Sequence, residues 1–210
     1  MNEVLPFPFP VKPEYIFTDV DDTLTLDGRL PVEAFRALQD LKDNGIVVVP
    51  VTGAGSGWCD CIVRSWPVET VIGENGAFIM SMSDGFSVEY LIEEDAREEQ
   101  NRKLCDIARQ VLTDVPGASL TRDTSYRATD IAFDIGQDQV LSQDRIQQIV
   151  EICRGSGANA RVSSIHINVW YGDHSKATTA GLFMERMGVS PKYTVFVGDS
   201  PNDEDMFGML

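Results

Sequence analysis

The sequence predicts an α/β protein with a parallel-sheet core and an inserted α+β domain. Three observations predict it. Short apolar runs alternate with helical patterns at both ends of the 210-residue chain, as strand–helix–strand units do when they build a parallel sheet. Three of those apolar runs end abruptly in polar residues able to do chemistry. The middle, roughly 79–168, changes to a hairpin, a long charged helix and alternating strands. The expected division is 1–78 with 169–210 for the core and 79–168 for the insertion.

The elements follow in order. A Pro-rich opening (Pro6, Pro8, Pro10, Pro13) suits an extended lead-in, because proline continues neither a helix nor a central strand. Tyr15-Ile16-Phe17 is a short strand that ends at Thr18-Asp19. Val32, Phe35, Leu38 and Leu41 recur at helical spacing, with Pro31 at the first turn and Gly45 just past the end. Ile46 to Val51 reads as a buried strand despite Pro50. Trp58–Trp66 is helical and Glu69–Ile72 a strand. Phe78–Met80 and Val88–Ile92 form a hairpin around Ser83-Asp84-Gly85. Helices are expected over Glu94–Leu112 and Gln143–Cys153. The acidic run Glu93-Glu94-Asp95 suits the N-terminal charge of the first of these. Strands are expected over Ile131–Ile135 and, as one alternating run, Arg161–Trp170. Ser175 caps a helix that Gly188 stops, Tyr193–Val197 is a buried strand, and Pro201 opens a last helix. A sheet of this kind normally adds further strand and helix beyond that point, so the expectation is either a chain cut short at Leu210 or an abbreviated fold.

Composition narrows the function classes. The chain carries 33 acidic and 17 basic side chains, a net charge of −16, and its pI is near 4.4. Such a surface repels phosphate backbones and anionic lipid, which argues against nucleic-acid and membrane partners. No apolar run approaches the ~20 residues that span a bilayer. The opening has neither a basic nor an apolar leader segment, and Cys59, Cys61, Cys105 and Cys153 lack metal-site or disulfide spacing. Reduced thiols in a cytoplasmic protein, monomer or homodimer, are the expectation.

The chemistry sits at three strand ends: Asp19-Val20-Asp21-Asp22-Thr23, Thr52-Gly53, and Gly198-Asp199-Ser200-Pro201-Asn202-Asp203. In an open parallel sheet these ends share one edge, where ligands bind. Asp19 and Asp21, two apart on an extended chain, start on one face. With Asp199 they make a cluster of carboxylates that only a cation keeps ionised, and hard oxygen ligands favour Mg²⁺. Lys176 adds positive charge, and the Thr52 hydroxyl and nearby backbone N–H groups add neutral donors. Carboxylates, Mg²⁺, lysine and hydroxyl make a site for phosphoryl transfer. Asp22 and Asp27-Gly28 read as turn residues. Gly53-Ala54-Gly55-Ser56-Gly57 with Glu74 invites a dinucleotide reading, but Trp58 stands where the third glycine should be.

These segments, with Lys176 between the second and the last, resemble the four motifs of the haloacid dehalogenase superfamily, in order. Gly73-Glu74-Asn75-Gly76-Ala77, followed by a large insertion before the lysine, resembles the Cof-type (type IIB) sugar-phosphate phosphatases. The resemblance implies a Rossmann-like core with an α+β cap domain. It implies Asp19 as nucleophile, Asp21 as acid and base, and Mg²⁺ on Asp19, Asp199 and the Asp21 carbonyl. It further implies Thr52, Gly53, Lys176 and Asn202 on the phosphate, and Asp203 supporting the metal or Lys176. The substrate would be a small phosphorylated metabolite, a sugar phosphate. Many relatives have arginine after Thr-Gly, where Ala54 stands here. Arg127, His166 and Asn168 are the cap candidates for substrate contact, with Asp130 and Trp170 beside them; each could equally be surface or core. A phosphomutase of the same superfamily and a receiver-like phospho-accepting domain remain as alternatives.

Overall fold

A computed structural model describes residues 12–163, 165–199 and 203–209. The prolines at 6, 8 and 10, Pro201 and the phosphate candidate Asn202 lie outside the described residues. The core sheet begins with β1 (Tyr15–Thr18) between β2 (Val47–Pro50) and β9 (Thr194–Val197), all parallel. Helix α1 (Val32–Asp43) and helix α2 (Ser56–Ser65) follow β1 and β2. Pro31 is the residue before α1 rather than its first turn. Strand β3 (Thr70–Gly73) joins β2 through one bridge, Val51 to Ile72. Pro50 accounts for so brief a join. In β2 the Val51 N–H serves β1 and the Thr52 N–H serves β3. The nitrogen of residue 50 therefore faces β3, and proline has no hydrogen there to donate.

The hairpin β4 (Phe78–Ser81) and β5 (Ser87–Tyr90) pairs antiparallel onto β3. The sequence reading had grouped it with the insertion. Its register explains the difference: Phe78 and Met80 pack with Cys59, Ile62 and Val71 in the core cluster beneath α1 and α2. On the opposite face Phe17, Val49, Ile72 and Ile79 pack against Ala180, Phe183 and Met184 of α5 (Lys176–Met187) and Met206 of α6 (Glu204–Met209). The core is thus helix, sheet, helix.

The remaining strands form a separate antiparallel sheet, ordered β6 (Asp130–Asp134), β8 (His166–Trp170), β7 (Asn159–Val162). The single run expected over Arg161–Trp170 is two strands. Ser163 and His166 close on each other, the Ser163 N–H on the His166 carbonyl at 2.8 Å, and reverse the chain. Helices α3 (Glu94–Asp114) and α4 (Gln143–Gly155) cover one face of this sheet. Their Leu104, Ile107, Val111, Ile149 and Val150 enclose Ile131, Phe133, Ile167 and Val169. Alternation then places Asp130, Ala132, Asp134, His166, Asn168 and Trp170 on the other face. A short helical turn, Arg122–Tyr126, not anticipated from the sequence, leads into β6.

Candidate active site

Register brings the three strand ends together. Thr18 stands beside Pro50 on one side and Val197 on the other, so Asp19, Thr52 and Asp199 emerge at one edge. The Asp19 N–H donates to the Val197 carbonyl at 2.8 Å, which ties the first end to the third. Lys176 arrives on the first residue of α5. Ser175 caps that helix in a reciprocal pair with Thr178. The loop Gly73–Ala77 fixes the helix start. Thr179 Oγ1 donates to the Gly76 carbonyl at 2.7 Å. Gly76 has φ +102°, and a Cβ there would lie 2.3 Å from the Ser175 carbonyl oxygen, so no larger residue fits.

The charges at this edge are paired. The Lys176 ammonium, 2% exposed, donates to Asp19 Oδ1 at 2.5 Å and to Asp203 Oδ1 at 2.8 Å. Asp203 Oδ2 also accepts the Asp199 N–H at 3.2 Å. Carboxylate oxygens of Asp19, Asp199 and Asp203 lie within 4.8 Å of one another. Burial pushes the Asp19 carboxyl from 3.8 up to about 6 against the pull of Lys176. Burial likewise raises Asp21, with Lys176 again opposing. Thr52 is buried, and its Oγ1 accepts the Ala54 N–H at 3.0 Å, which leaves the hydroxyl proton to donate. Three hard carboxylates in mutual reach, one of them exposed, fit a Mg²⁺ ion.

Above this edge lies a cavity of about 480 Å³, lined on the core side by Asp19, Asp21, Gly53, Trp58 and Asp199, and on the other by Asp123, Tyr126, Gln137, His166 and Asn168. A sequence model of the haloacid dehalogenase-like hydrolases matches residues 16–126. The phosphoglycolate phosphatase of Methanoculleus marisnigri is 31% identical over 199 residues, covering 91% of this chain and 78% of that one. The chain belongs to the haloacid dehalogenase-like hydrolases. A second phosphoglycolate phosphatase, from Halorubrum lacusprofundi, is 30% identical over 201 residues, with 91% and 78% covered. Two solved structures share the fold. The Synechocystis sucrose-phosphatase, in complex with sucrose and phosphate, has a TM-score of 0.67 at 16% identity, covering 94% of this chain and 80% of that one. A Thermoplasma acidophilum protein has a TM-score of 0.76 at 18% identity, with 94% and 81% covered. The chain is a phosphatase of this family. No described helix is long and apolar enough to cross a membrane.

The geometry treats the cap candidates of this phosphatase unequally. His166 lines the cavity, and its Nε2 sits 2.8 Å from Gln137 Oε1. Burial, with Arg127 assisting, lowers the His166 pKa below its usual 6.5 and favours the neutral ring. Asn168 also lines the cavity, and its buried Oδ1 has no partner. Arg127 reaches the cavity wall, but its guanidinium is consumed. It meets Asp130 Oδ1 and Oδ2 at 2.9 and 3.0 Å and Asp123 Oδ2 at 2.9 Å. Asp130 serves as its partner, and Trp170 lies on the wall of a different cavity.

Sequence reasoning missed Glu74. Its carboxylate is fully buried and accepts the Ser56 N–H (2.9 Å), the Ala128 N–H (2.8 Å), the Thr129 N–H (2.7 Å) and the Thr129 hydroxyl (2.5 Å). It spans the start of α2 and the approach to β6, the work that a ribose-binding acid would leave undone. Its φ of +45° is the hidden part; the visible signal is an acid in the short run Gly73-Glu74-Asn75-Gly76.

Proposed function

We propose that the chain is a Mg²⁺-dependent phosphatase that removes the phosphoryl group of a sugar phosphate by way of Asp19. The carrying observation is a buried Asp19 carboxylate paired with Lys176 and within reach of Asp199 at the floor of a large cavity. A carboxylate held there is aimed and kept ionised. In the first half-reaction Asp19 attacks phosphorus, the bond from phosphorus to the sugar oxygen breaks, and Asp21 gives that oxygen a proton. Burial raises the Asp21 pKa, the direction that favours a carboxyl able to give a proton. In the second, Asp21 takes a proton from water as the water attacks phosphorus, and Asp19 leaves as free carboxylate. Thr52, Gly53 and Lys176 steady the phosphoryl oxygens, with Asn202 as a further candidate. Asp203 holds Lys176 in place. Asp19, Asp199 and the Asp21 carbonyl would hold Mg²⁺, which supplies charge neutralisation on the transferring group.

The catalytic core then comprises the chain up to about residue 91 and from about 172, with the cap between, so that the β4–β5 hairpin stays with β3. Cap closure over the edge would exclude water and select the substrate. The relatives' two-carbon phosphorylated acid is the competing substrate. It needs a cation for its carboxylate, but Arg127 is held by two aspartates, and Arg122 at the cavity wall is an exposed side chain that meets Asp138 at 2.6 Å. A cavity of about 480 Å³ edged by amides, a neutral imidazole and Asp123 suits a larger, hydroxyl-bearing molecule. A screen of phosphorylated metabolites with Mg²⁺ tests this reading. Sugar phosphates should give the highest kcat/KM, EDTA should stop turnover until Mg²⁺ is restored, and Asp19→Asn should be folded and inactive. Preferred turnover of phosphoglycolate would overturn the substrate class. An active Asp19→Asn protein would overturn the mechanism.

A further inference from the structure

The polar contacts of Arg127 are made with two aspartates and with the loop beneath it. Its side chain is 1% exposed. Besides Asp123 and Asp130, it donates from Nη1 to the Gly53 carbonyl at 3.2 Å. Gly53 lies between Thr52, whose hydroxyl accepts the Ala54 N–H, and Ala54 itself. A peptide carbonyl drawn toward the cap fixes the plane of its peptide unit, and with it the Ala54 N–H on the other end of that unit. The two aspartates hold the guanidinium charged and immobile, so it clamps rather than searches.

The surrounding residues make room for this arm. A Cβ on Gly55 would lie 2.9 Å from Arg127 Cγ, and one on Gly57 would lie 2.8 Å from Tyr126 Cβ. Ser56 Oγ donates to the Tyr126 carbonyl at 2.7 Å. Glu74 secures residues 128 and 129 immediately after the arginine. Residues 126–130 are therefore fastened to the core at several points, all next to the Thr52–Ala54 loop.

We propose that Arg127 is a positioning residue: through the Gly53 carbonyl it sets the Thr52–Ala54 loop for phosphoryl binding, so that capture of any phosphate ester depends on this cap arginine. The proposal rests on the reading of that loop as the phosphoryl-binding one. It differs from a substrate-contacting role in what it predicts for small esters. p-Nitrophenyl phosphate has no sugar for the cap to grip, yet it needs the loop.

The test compares wild type, Arg127→Lys, and the double variant Arg127→Gln with Asp130→Asn. The double variant removes Arg127 together with its fully buried partner Asp130, so the carboxylate left behind is Asp123, one-third exposed and open to water. All are measured with p-nitrophenyl phosphate and with inorganic phosphate as a competitive inhibitor, on protein shown folded by circular dichroism and a cooperative melt. A misaligned loop should cost the double variant about 100-fold in kcat/KM and weaken inhibition by phosphate. Arg127→Lys should recover little, because a lysine cannot reach the carbonyl while serving both aspartates. Exogenous guanidinium should partly restore an Arg127→Ala protein. Folded variants with wild-type kcat/KM for p-nitrophenyl phosphate and unchanged phosphate inhibition would overturn the proposal, as would full recovery by lysine. Failure of the phosphatase reading looks different: there Asp19→Asn retains activity or wild type has none.

Discussion

His174 is a residue placed against its own solvation preference. It lies buried between β8 and α5, its ring centroid 6.0 Å from that of Trp170, and neither ring nitrogen has a partner. Burial lowers its pKa from 6.5 to about 4, with Asp173 opposing. The folded state therefore refuses a proton that the unfolded chain accepts below pH 6.5. The stability this represents is full above pH 6.5 and is lost as pH falls toward 4. At about 1.4 kcal/mol per unit it amounts to roughly 3 kcal/mol. Denaturant unfolding at pH 7.5 and pH 5 should show a larger loss for wild type than for His174→Phe. Equal losses would place the acid sensitivity elsewhere. Nothing in the sequence marks His174 as buried, because its neighbours Asp173 and Ser175 are polar. The pairing of Arg127 is hidden for a related reason. Its charge is visible in one dimension, but the aspartates that consume it, four residues before and three after, look like surface until the turn folds them inward.

Among the elements, α2 shows a loop and helix start shaped by a partner outside its own segment. In the sequence Gly55, just before it, and Gly57, in its first turn, belong to the glycine run that invites a dinucleotide reading. Gly55 has an ordinary φ of −65°, so backbone freedom is not what calls for glycine there; the approach of Arg127 and Tyr126 is. Gly55→Ala should consequently destabilise by overpacking, about 1–3 kcal/mol, measurable as a fall in Tm of several degrees. A neutral effect would mean that the turn before β6 can retreat at no cost. Elements ruled by local chemistry were the legible ones. The Ser175 cap, the Gly188 stop at φ +65° and the acidic first turn of α3 all depend on residues a few positions apart. The break between β7 and β8 has a faint signal in the sequence: polar residues fall at 161 and 163 and then at 166 and 168, so the alternation changes phase across two consecutive serines.

For the whole molecule, the sequence carried the core and its chemical edge further than the cap. Each reactive segment follows directly on an apolar strand, so strand direction alone predicts that Asp19, Thr52 and Asp199 meet; the strand before Asp199, expected to be buried, is half-buried among the described residues because it lies on the outside of β1. The insertion was recognisable by its change of pattern, but which of its faces meets the core was not. That depends on pairs such as Glu74 with Thr129, 55 residues apart, and on β4 and β5 burying their side chains under α2. The molecule is a sheet edge that gathers acidic groups around one lysine, with a second sheet fastened above it.

The most direct test of that arrangement is to trap the phosphoryl group on Asp19. In Asp21→Asn, which slows hydrolysis of the intermediate, substrate is added with Mg²⁺ and the reaction is quenched with borohydride. Reduction of an aspartyl-phosphate leaves homoserine, which peptide mass spectrometry locates. Homoserine at position 19, present with substrate and absent without it, is the predicted result. Phosphate release with Asp19 intact and the mark on another residue would contradict the account.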